Sequence, residues 1–171
     1  MNLFFTADTH FGHRRILEFC PETRPYDSIE HHDEMLIQRW NEVVKPEDHV
    51  YHLGDVSFAK PGPTAGILYR LNGHIHLVLG NHDRGLARDR FTEVQSYIDL
   101  RIGKTHLVLF HFPIESWDQD RRGSIHLHGH THGNLGSHHS IKEKKRRLDV
   151  GVDTRSQNYP WALEEILEVL E

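Results

Sequence analysis

The chain has 171 residues, of which 37% are hydrophobic and 26% are charged, and this composition predicts a globular protein with a sizeable core. We expect a single domain over residues 1–171. The formal charge of −5, from 20 basic and 25 acidic side chains, argues against a protein whose whole surface binds nucleic acid.

The cysteine and histidine content indicates where the protein is located and what it binds. Cys20 is the only cysteine, so an intrachain disulfide is impossible, and no window is long and apolar enough to span a membrane. A cytoplasmic location without membrane association is therefore expected. The chain has 17 histidines dispersed along it, and dispersed histidines indicate metal binding.

The first predicted strand covers residues 3–7 and is followed directly by Asp8, Thr9 and His10. Strand alternation places Asp8 and His10 on the same side, where both could face one metal ion. The alternative is that Asp8 and His10 occur two residues apart by chance and do not bind metal.

A helix is predicted to begin at Asp27, which with Glu30 resembles a capping box, and to end before Pro46. Its apolar residues recur along one face, so we interpret it as a packing element. His31 and His32 at its start are expected to be solvated.

The next strands repeat one pattern, an apolar run followed by glycine and polar residues. Residues 50–53 are followed by Gly54 and Asp55, and, after a short helix, residues 75–79 lead into Gly80, Asn81, His82 and Asp83. Strand, helix and strand in this order favour parallel pairing, which brings the carboxyl ends of strands to one edge. We expect Asp8, Asp55 and Asn81 to line that edge.

After Arg84 the predicted strands are shorter, at residues 94–100 and 105–110, with a hairpin turn at residues 102–104, which indicates antiparallel or mixed pairing. The second of them ends at His111. Residues 125–128 then lead into His130 and His132, which are separated by one residue and flanked by glycines. This arrangement favours metal ligands over structural histidines.

The C-terminal part adds a basic cluster and a final helix. The cluster comprises Lys142, Lys144, Lys145, Arg146 and Arg147. It is interpreted as a solvated loop, with a phosphate-binding patch as the alternative. The helix follows Pro160 and carries an apolar stripe that should cover the core.

The polar side chains at the strand ends form the strongest signal in the sequence. They offer nitrogen and oxygen donors without thiolates, which suits Mn²⁺, Fe²⁺, Zn²⁺ or Ni²⁺. Their number exceeds what one tetrahedral ion uses, so two divalent metal ions are predicted. The set is Asp8, His10, Asp55, Asn81, His82, His111, His130 and His132.

The order of these motifs resembles the calcineurin-like metallophosphoesterase superfamily, and in particular its small single-domain bacterial and phage members. The resemblance runs from Asp8 to Val152. It implies an α/β fold, a four-layer α/β/β/α sandwich with two mixed β-sheets. It also implies the metal ligands: Asp8, His10 and His132 for one ion, Asn81, His111 and His130 for the other, with Asp55 bridging them.

The activity implied by the resemblance is hydrolysis of a phosphoester by a metal-bridging hydroxide, with His82 as general acid and Asp83 orienting the loop. Some members pair this histidine with a carboxylate three residues after the bridging aspartate, where this chain has Phe58. Arg84 is a candidate contact for substrate phosphate, with a surface salt bridge as the alternative.

The substrate is predicted to be a nucleotide-type phosphodiester, in a nucleotide or at a nucleic-acid end, because the chain has no room for a capping domain over the site. A nucleotide phosphomonoesterase is the close alternative. An inactive phosphoesterase-like scaffold that binds protein partners and a histidine-rich metal buffer are further alternatives. The sequence makes no prediction of the oligomeric state.

Overall fold

The computed structural model describes residues 1–135, 139–140 and 145–171. The strands in these ranges are β1 (Leu3–Thr6), β2 (His49–His52), β3 (His74–Val78), β4 (Glu93–Gln95), β5 (Ile98–Ile102), β6 (Thr105–Leu109), β7 (Ile125–His128), β8 (His139–Ser140), β9 (Lys145–Asp149) and β10 (Trp161–Ala162). The helices are α1 (Ile16–Phe19), α2 (Ile29–Val43), α3 (Pro61–Leu68) and α4 (Leu163–Val169), with 3-10 turns at Asp120–Arg122, Val152–Thr154 and Ser156–Asn158.

Two mixed sheets organise the chain. The first has the strand order β10-β1-β2-β3-β4, with β10 antiparallel to β1 and the remaining pairs parallel. The second has the order β5-β6-β7-β9-β8, with parallel pairing only within β6-β7-β9. The predicted α/β class with two mixed sheets is confirmed.

Alternation along the strands of the first sheet separates two cores. Phe5 and Tyr51 face the second sheet and pack in one cluster with Leu107 and Leu127. Their sequence neighbours Phe4 and Val50 point to the other side, where α2 and α3 cover them. Because side chains of successive strand residues point to opposite faces, an apolar strand fills both cores at once.

The second sheet has its own outer cover. His126 follows Ile125 on β7 and points away from the core between the sheets, where its ring lies 5.2 Å from that of Trp117. The 3-10 turn Asp120–Arg122 lies in the same connection between β6 and β7. This outer layer therefore contains a short helical turn and an aromatic side chain.

Several sequence predictions need correction. The helix α2 begins at Ile29, and its cap is Ser28, whose Oγ accepts a hydrogen bond from the His31 amide, so the capping box at Asp27 was wrong. His32 is fully buried, not solvated. The single strand predicted over 94–100 is two strands, β4 and β5, which belong to different sheets.

Two further predictions concern chain segments. In the parts of the chain that the structure describes, no helix has the length and apolar character needed to cross a bilayer. Of the predicted basic cluster, Lys142 and Lys144 lie outside the described residues. Lys145, Arg146 and Arg147 belong to strand β9, so this part of the cluster is not a loop.

Candidate metal centre

The residues that follow β1 meet His132 from the second sheet. Asp8, His10 and His132 each offer a donor atom, and these three atoms lie within 4.8 Å of one another. His10 Nε2 lies 3.9 Å from Asp8 Oδ1. The spacing is short enough for one cation to contact all three groups.

A second group lies beside the first. Donor atoms of Asp55, His111 and His130 also lie within 4.8 Å of one another, and Asn81 Oδ1 is 3.0 Å from His111 Nε2. Asp55 Oδ2 lies 3.6 Å from His111 Nε2 and 3.9 Å from His10 Nε2. The carboxylate of Asp55 therefore stands between the two groups.

Three buried donor atoms in the first group have no hydrogen-bond partner among the described residues: Asp8 Oδ1 and both ring nitrogens of His10. Burial raises the pKa of Asp8 well above its usual value, against the opposing charge of His132. Burial also lowers the pKa of His10 to about 2, with the Arg24 charge adding to the effect. Buried polar atoms without partners are costly, and a divalent cation bound by Asp8 Oδ1 and one His10 nitrogen would satisfy two of the three.

The backbone at the site is strained at non-glycine residues. Positive φ angles occur at five of the predicted ligands: Asp8 (57°), His10 (49°), Asp55 (58°), His130 (70°) and His132 (49°). This left-handed conformation is disfavoured for L-residues and is concentrated at functional sites. It turns these side chains toward a common space just beyond the strand ends.

Two glycines allow the backbone to approach the carboxylates closely. A Cβ atom at Gly80 would lie 2.3 Å from Asp55 Oδ1, and one at Gly129 would lie 2.6 Å from Asp8 Oδ2. No L-side chain fits at such distances without displacing the carboxylate. The glycines before Asn81 and His130 are therefore required by the close approach of the backbone to these carboxylates.

Hydrogen bonds orient two of the imidazoles. His111 Nδ1 donates to the Leu53 carbonyl at 2.7 Å, and His132 Nδ1 lies 2.6 Å from Asp153 Oδ2. In each ring the other nitrogen is left for a cation. Burial opposes the charged form of His132, but the hydrogen bond to Asp153 raises its pKa to about 10, so a cation there competes with a proton.

Asp153 and Arg24 are site-supporting residues that sequence reasoning missed. Arg24 is 1% exposed, and its guanidinium donates to both carboxylate oxygens of Asp153, at 2.8 and 2.6 Å. It also donates to the Asp8 and Thr9 carbonyls at 2.6 and 3.1 Å. The position of Asp153 just after an apolar run was a usable signal, whereas Arg24 lies in a connection without any.

The remaining candidate residues surround Asn81. Asp83 is buried, and its oxygens accept hydrogen bonds from the amides of Asp55, Val56 and Gly80 at 2.8–2.9 Å. It therefore holds the two loops together and does not face the metal groups. Arg84 is exposed on the same turn.

His82 is exposed at the mouth of the site, and its amide donates to Asp55 Oδ1 at 2.9 Å. Its ring centroid lies 6.1 Å from that of His10 and 4.6 Å from that of Phe58. Where some superfamily members would have a carboxylate, this chain places an aromatic ring beside the histidine.

Comparison with known proteins gives relatives along nearly the whole chain. The chain is 32% identical to the uncharacterized protein MJ1445 of Methanocaldococcus jannaschii, over 99% of this chain and 91% of that protein. It is 32% identical to the Gene 66 protein of Mycobacterium phage L5, over 89% of this chain and 86% of that protein. No family model matches the sequence.

Among solved structures, the protein of unknown function AQ665 from Aquifex aeolicus is similar in fold, with a TM-score of 0.79, 24% identity and 98% of both chains covered. The chain belongs to the family that includes MJ1445 and the phage Gene 66 protein.

Proposed function

We propose that this protein is a hydrolase of nucleotide-type phosphodiesters that uses two divalent metal ions, with Mn²⁺ favoured. The observation that carries the proposal is the position of Asp55, whose Oδ2 lies 3.9 Å from His10 Nε2 and 3.6 Å from His111 Nε2. One carboxylate between two groups of donors suits a pair of cations that share a ligand. The proposed cellular location is the cytoplasm.

The donors divide between the two cations as their positions suggest. Asp8, His10 and His132 would hold one cation, Asn81, His111 and His130 would hold the other, and Asp55 would contact both. When bound, such a pair activates a water molecule and neutralises the charge on the phosphoryl oxygens. The unpartnered buried atoms of Asp8 and His10 support this assignment.

His82 is the proposed general acid. It is the exposed imidazole nearest to Phe58 and His10, and the hydrogen bond from its amide to Asp55 fixes its backbone relative to the shared carboxylate. From this position its ring can give a proton to the oxygen of the leaving group. Asp83 acts as a positioning residue through the loop amides, and Arg84 is the proposed contact for a substrate phosphate.

A diester is favoured over a monoester because the mouth of the site is accessible. Asn81, His82 and His130 are all exposed, so groups on both sides of a bound phosphate could extend into solvent. A nucleotide phosphomonoesterase is the second candidate, since the same donors suit either reaction. Comparing p-nitrophenyl phosphate with bis(p-nitrophenyl) phosphate on the Mn²⁺-loaded protein decides between them by kcat/KM.

The test of the mechanism is His82→Ala, with the exposed His31→Ala as the matched control. We expect His82→Ala to retain the metal content of the wild type and to lower kcat by about 10²- to 10⁴-fold. The loss should be greater for a dinucleotide than for a nitrophenyl ester, because a poor leaving group depends more on protonation. His31→Ala should match the wild type in both respects.

Three results would contradict the proposal. Equal losses for good and poor leaving groups would remove the general-acid role of His82. If the wild type, loaded with Mn²⁺ to two ions per chain, hydrolysed no diester or monoester, the inactive scaffold would replace the enzyme. Binding of many more than two ions per chain in equilibrium dialysis would instead indicate a metal buffer.

A further inference from the structure

We infer that Phe58, together with His13 and Phe19, forms an aromatic surface that contacts a nucleobase on the leaving-group side of the substrate. These three residues are called the aromatic rim below. The inference rests on the proposed function and names its substrate class, a nucleotidyl diester whose leaving group is a nucleoside. It makes Phe58 a specificity-determining residue.

Within the aromatic rim, Phe58 and His13 stack on each other, and Phe58 and Phe19 are exposed to solvent. Phe58 and His13 have ring centroids 4.1 Å apart and an interplanar angle of 16°, and His13 lies 6.1 Å from Phe19. Phe58 is 41% exposed and Phe19 is 57% exposed. Large aromatic side chains kept in solvent beside a candidate site offer a surface for a planar apolar group.

Hydrogen bonds fix Phe58 and His13 relative to each other. The Phe58 amide donates to the Phe11 carbonyl at 2.8 Å, and the Ser57 hydroxyl donates to the same carbonyl at 3.1 Å. The amide of Gly12 donates to Asp33 Oδ2 at 2.9 Å. Since the two loops are already ordered, a ligand that stacks here loses little affinity to ordering of the protein.

The aromatic rim begins at the metal groups and leads away from them. The Phe58 ring lies 5.2 Å from that of His10, a candidate ligand, and 4.6 Å from that of His82, the candidate general acid, so it lies beside both. A leaving group that takes its proton from His82 therefore departs beside Phe58. An aromatic ring at this position contributes contact area, whereas a carboxylate would contribute charge.

The charge next to the aromatic rim favours a nucleotide over an uncharged aromatic ligand. The guanidinium carbon of Arg15 lies 4.7 Å from the centroid of the Phe19 ring, and Arg14 precedes it on the same exposed turn. Arg14 pairs with Glu30 at 3.0 Å and Arg15 with Glu18 at 4.0 Å, but pairs this exposed are weak and leave the guanidinium groups accessible to a phosphate. Stacking surfaces flanked by cations are the common means of binding single-stranded nucleic acid without sequence preference. A protein partner docking on the same rings is the competing outcome of the experiment below.

The first experiment compares two substrates of the metal-loaded protein: dithymidine phosphate and the same diester with an abasic tetrahydrofuran in place of the leaving nucleoside. The wild type should prefer the base-bearing substrate in kcat/KM by about fivefold to 100-fold, the range expected for one base–aromatic stack. Phe58→Leu should abolish most of this preference, and Phe58→Trp should restore it. Tyr69→Leu, at an exposed aromatic residue of α3's C-terminal end, is the control and should keep the wild-type ratio.

The second experiment measures binding without turnover. We measure the fluorescence anisotropy of a labelled five-nucleotide oligothymidylate, and of its abasic counterpart, as protein is added. The proteins compared are metal-loaded His82→Ala and the metal-loaded double variant His82→Ala/Phe58→Leu. Base-dependent binding that disappears with Phe58→Leu supports the inference even if no substrate is hydrolysed, in which case the proposed function fails alone. Any of three results overturns the inference: an unchanged preference in both experiments, equal losses for both ligands, or no binding of either ligand. The last result would indicate that the aromatic rim binds a protein partner instead.

Discussion

Replacing Arg24 with methionine tests how much the buried ion pair behind the metal groups contributes to stability. Arg24 and Asp153 have side chains that are 0% and 1% exposed, and the guanidinium contacts both carboxylate oxygens. Arg24→Met leaves the buried carboxylate of Asp153 without the guanidinium, with only His132 and the Thr23 hydroxyl as partners, and removes donors from two backbone carbonyls. Breaking a buried pair in this way costs about 3–5 kcal/mol.

The chain offers a matched control at its surface. Arg70 and Glu34 form the same two-bond contact, at 2.6 and 2.6 Å, but their side chains are 50% and 59% exposed. Because water solvates the partner left behind, Arg70→Met should cost only about 0–1 kcal/mol. Both substitutions therefore remove a two-bond contact between a guanidinium and a carboxylate, and Arg24→Met removes in addition the bonds to the Asp8 and Thr9 carbonyls. The main difference between the two contacts is their burial.

The assay is urea unfolding of the three proteins in the same chelator-containing buffer, followed by tryptophan fluorescence. With an m value of about 2 kcal/mol/M, a loss of about 4 kcal/mol shifts the midpoint of Arg24→Met by about 2 M. If that variant fails to fold, Arg24→Lys, which keeps the charge without the planar fork, supplies an intermediate value. Equal losses for Arg24→Met and Arg70→Met would refute the argument from burial.

Three further predictions follow from the supporting structure. Gly80→Ala places a Cβ 2.3 Å from a carboxylate oxygen of Asp55 and should lower metal affinity and thermal stability, whereas Gly66→Ala has open space and should stabilise α3 by up to about 1 kcal/mol. Competition with a chelating dye should show that Asp153→Asn weakens metal binding by about 10- to 100-fold, because His132 loses its carboxylate partner; wild-type affinity would contradict this. Burial lowers the pKa of His126 to about 4, so protonation of the unfolded chain reduces stability as the pH falls from about 6.5 toward 4. At about pH 5 this amounts to about 2 kcal/mol, and His126→Gln should remove that part of the loss in urea titrations at two pH values, while an unchanged pH dependence would exclude it.

The positions of the candidate ligands could be predicted because each follows an apolar run. Strand periodicity locates the end of a strand, and parallel pairing brings such ends together, so Asp8, Asp55 and Asn81 were expected at one edge. The structure brings them together with His111, His130 and His132. Whether they bind metal stays a prediction.

What the sequence did not predict depends on contacts between distant parts of the chain. Arg24, Asp153 and His32 form a buried polar network, with Arg24 Nη1 3.1 Å from His32 Nε2. No local pattern distinguishes Arg24 and His32 from polar residues of the surface. The break between β4 and β5 was missed for a similar reason. Residues 94–100 are uniformly strand-like, and only the packing of two sheets determines where the chain passes from one to the other.

Each candidate cation site draws its donors from both sheets. Asp8 and His10 follow β1 while His132 follows β7, and Asp55 follows β2 while His111 follows β6. A bound cation would therefore act as a further crosslink between two halves of the molecule that are joined by apolar packing and by hydrogen bonds such as that of His111 to the Leu53 carbonyl. Affinity for the metal then depends on the relative position of the two sheets. Any substitution that shifts one sheet relative to the other should therefore weaken metal binding, even when every ligand is unchanged.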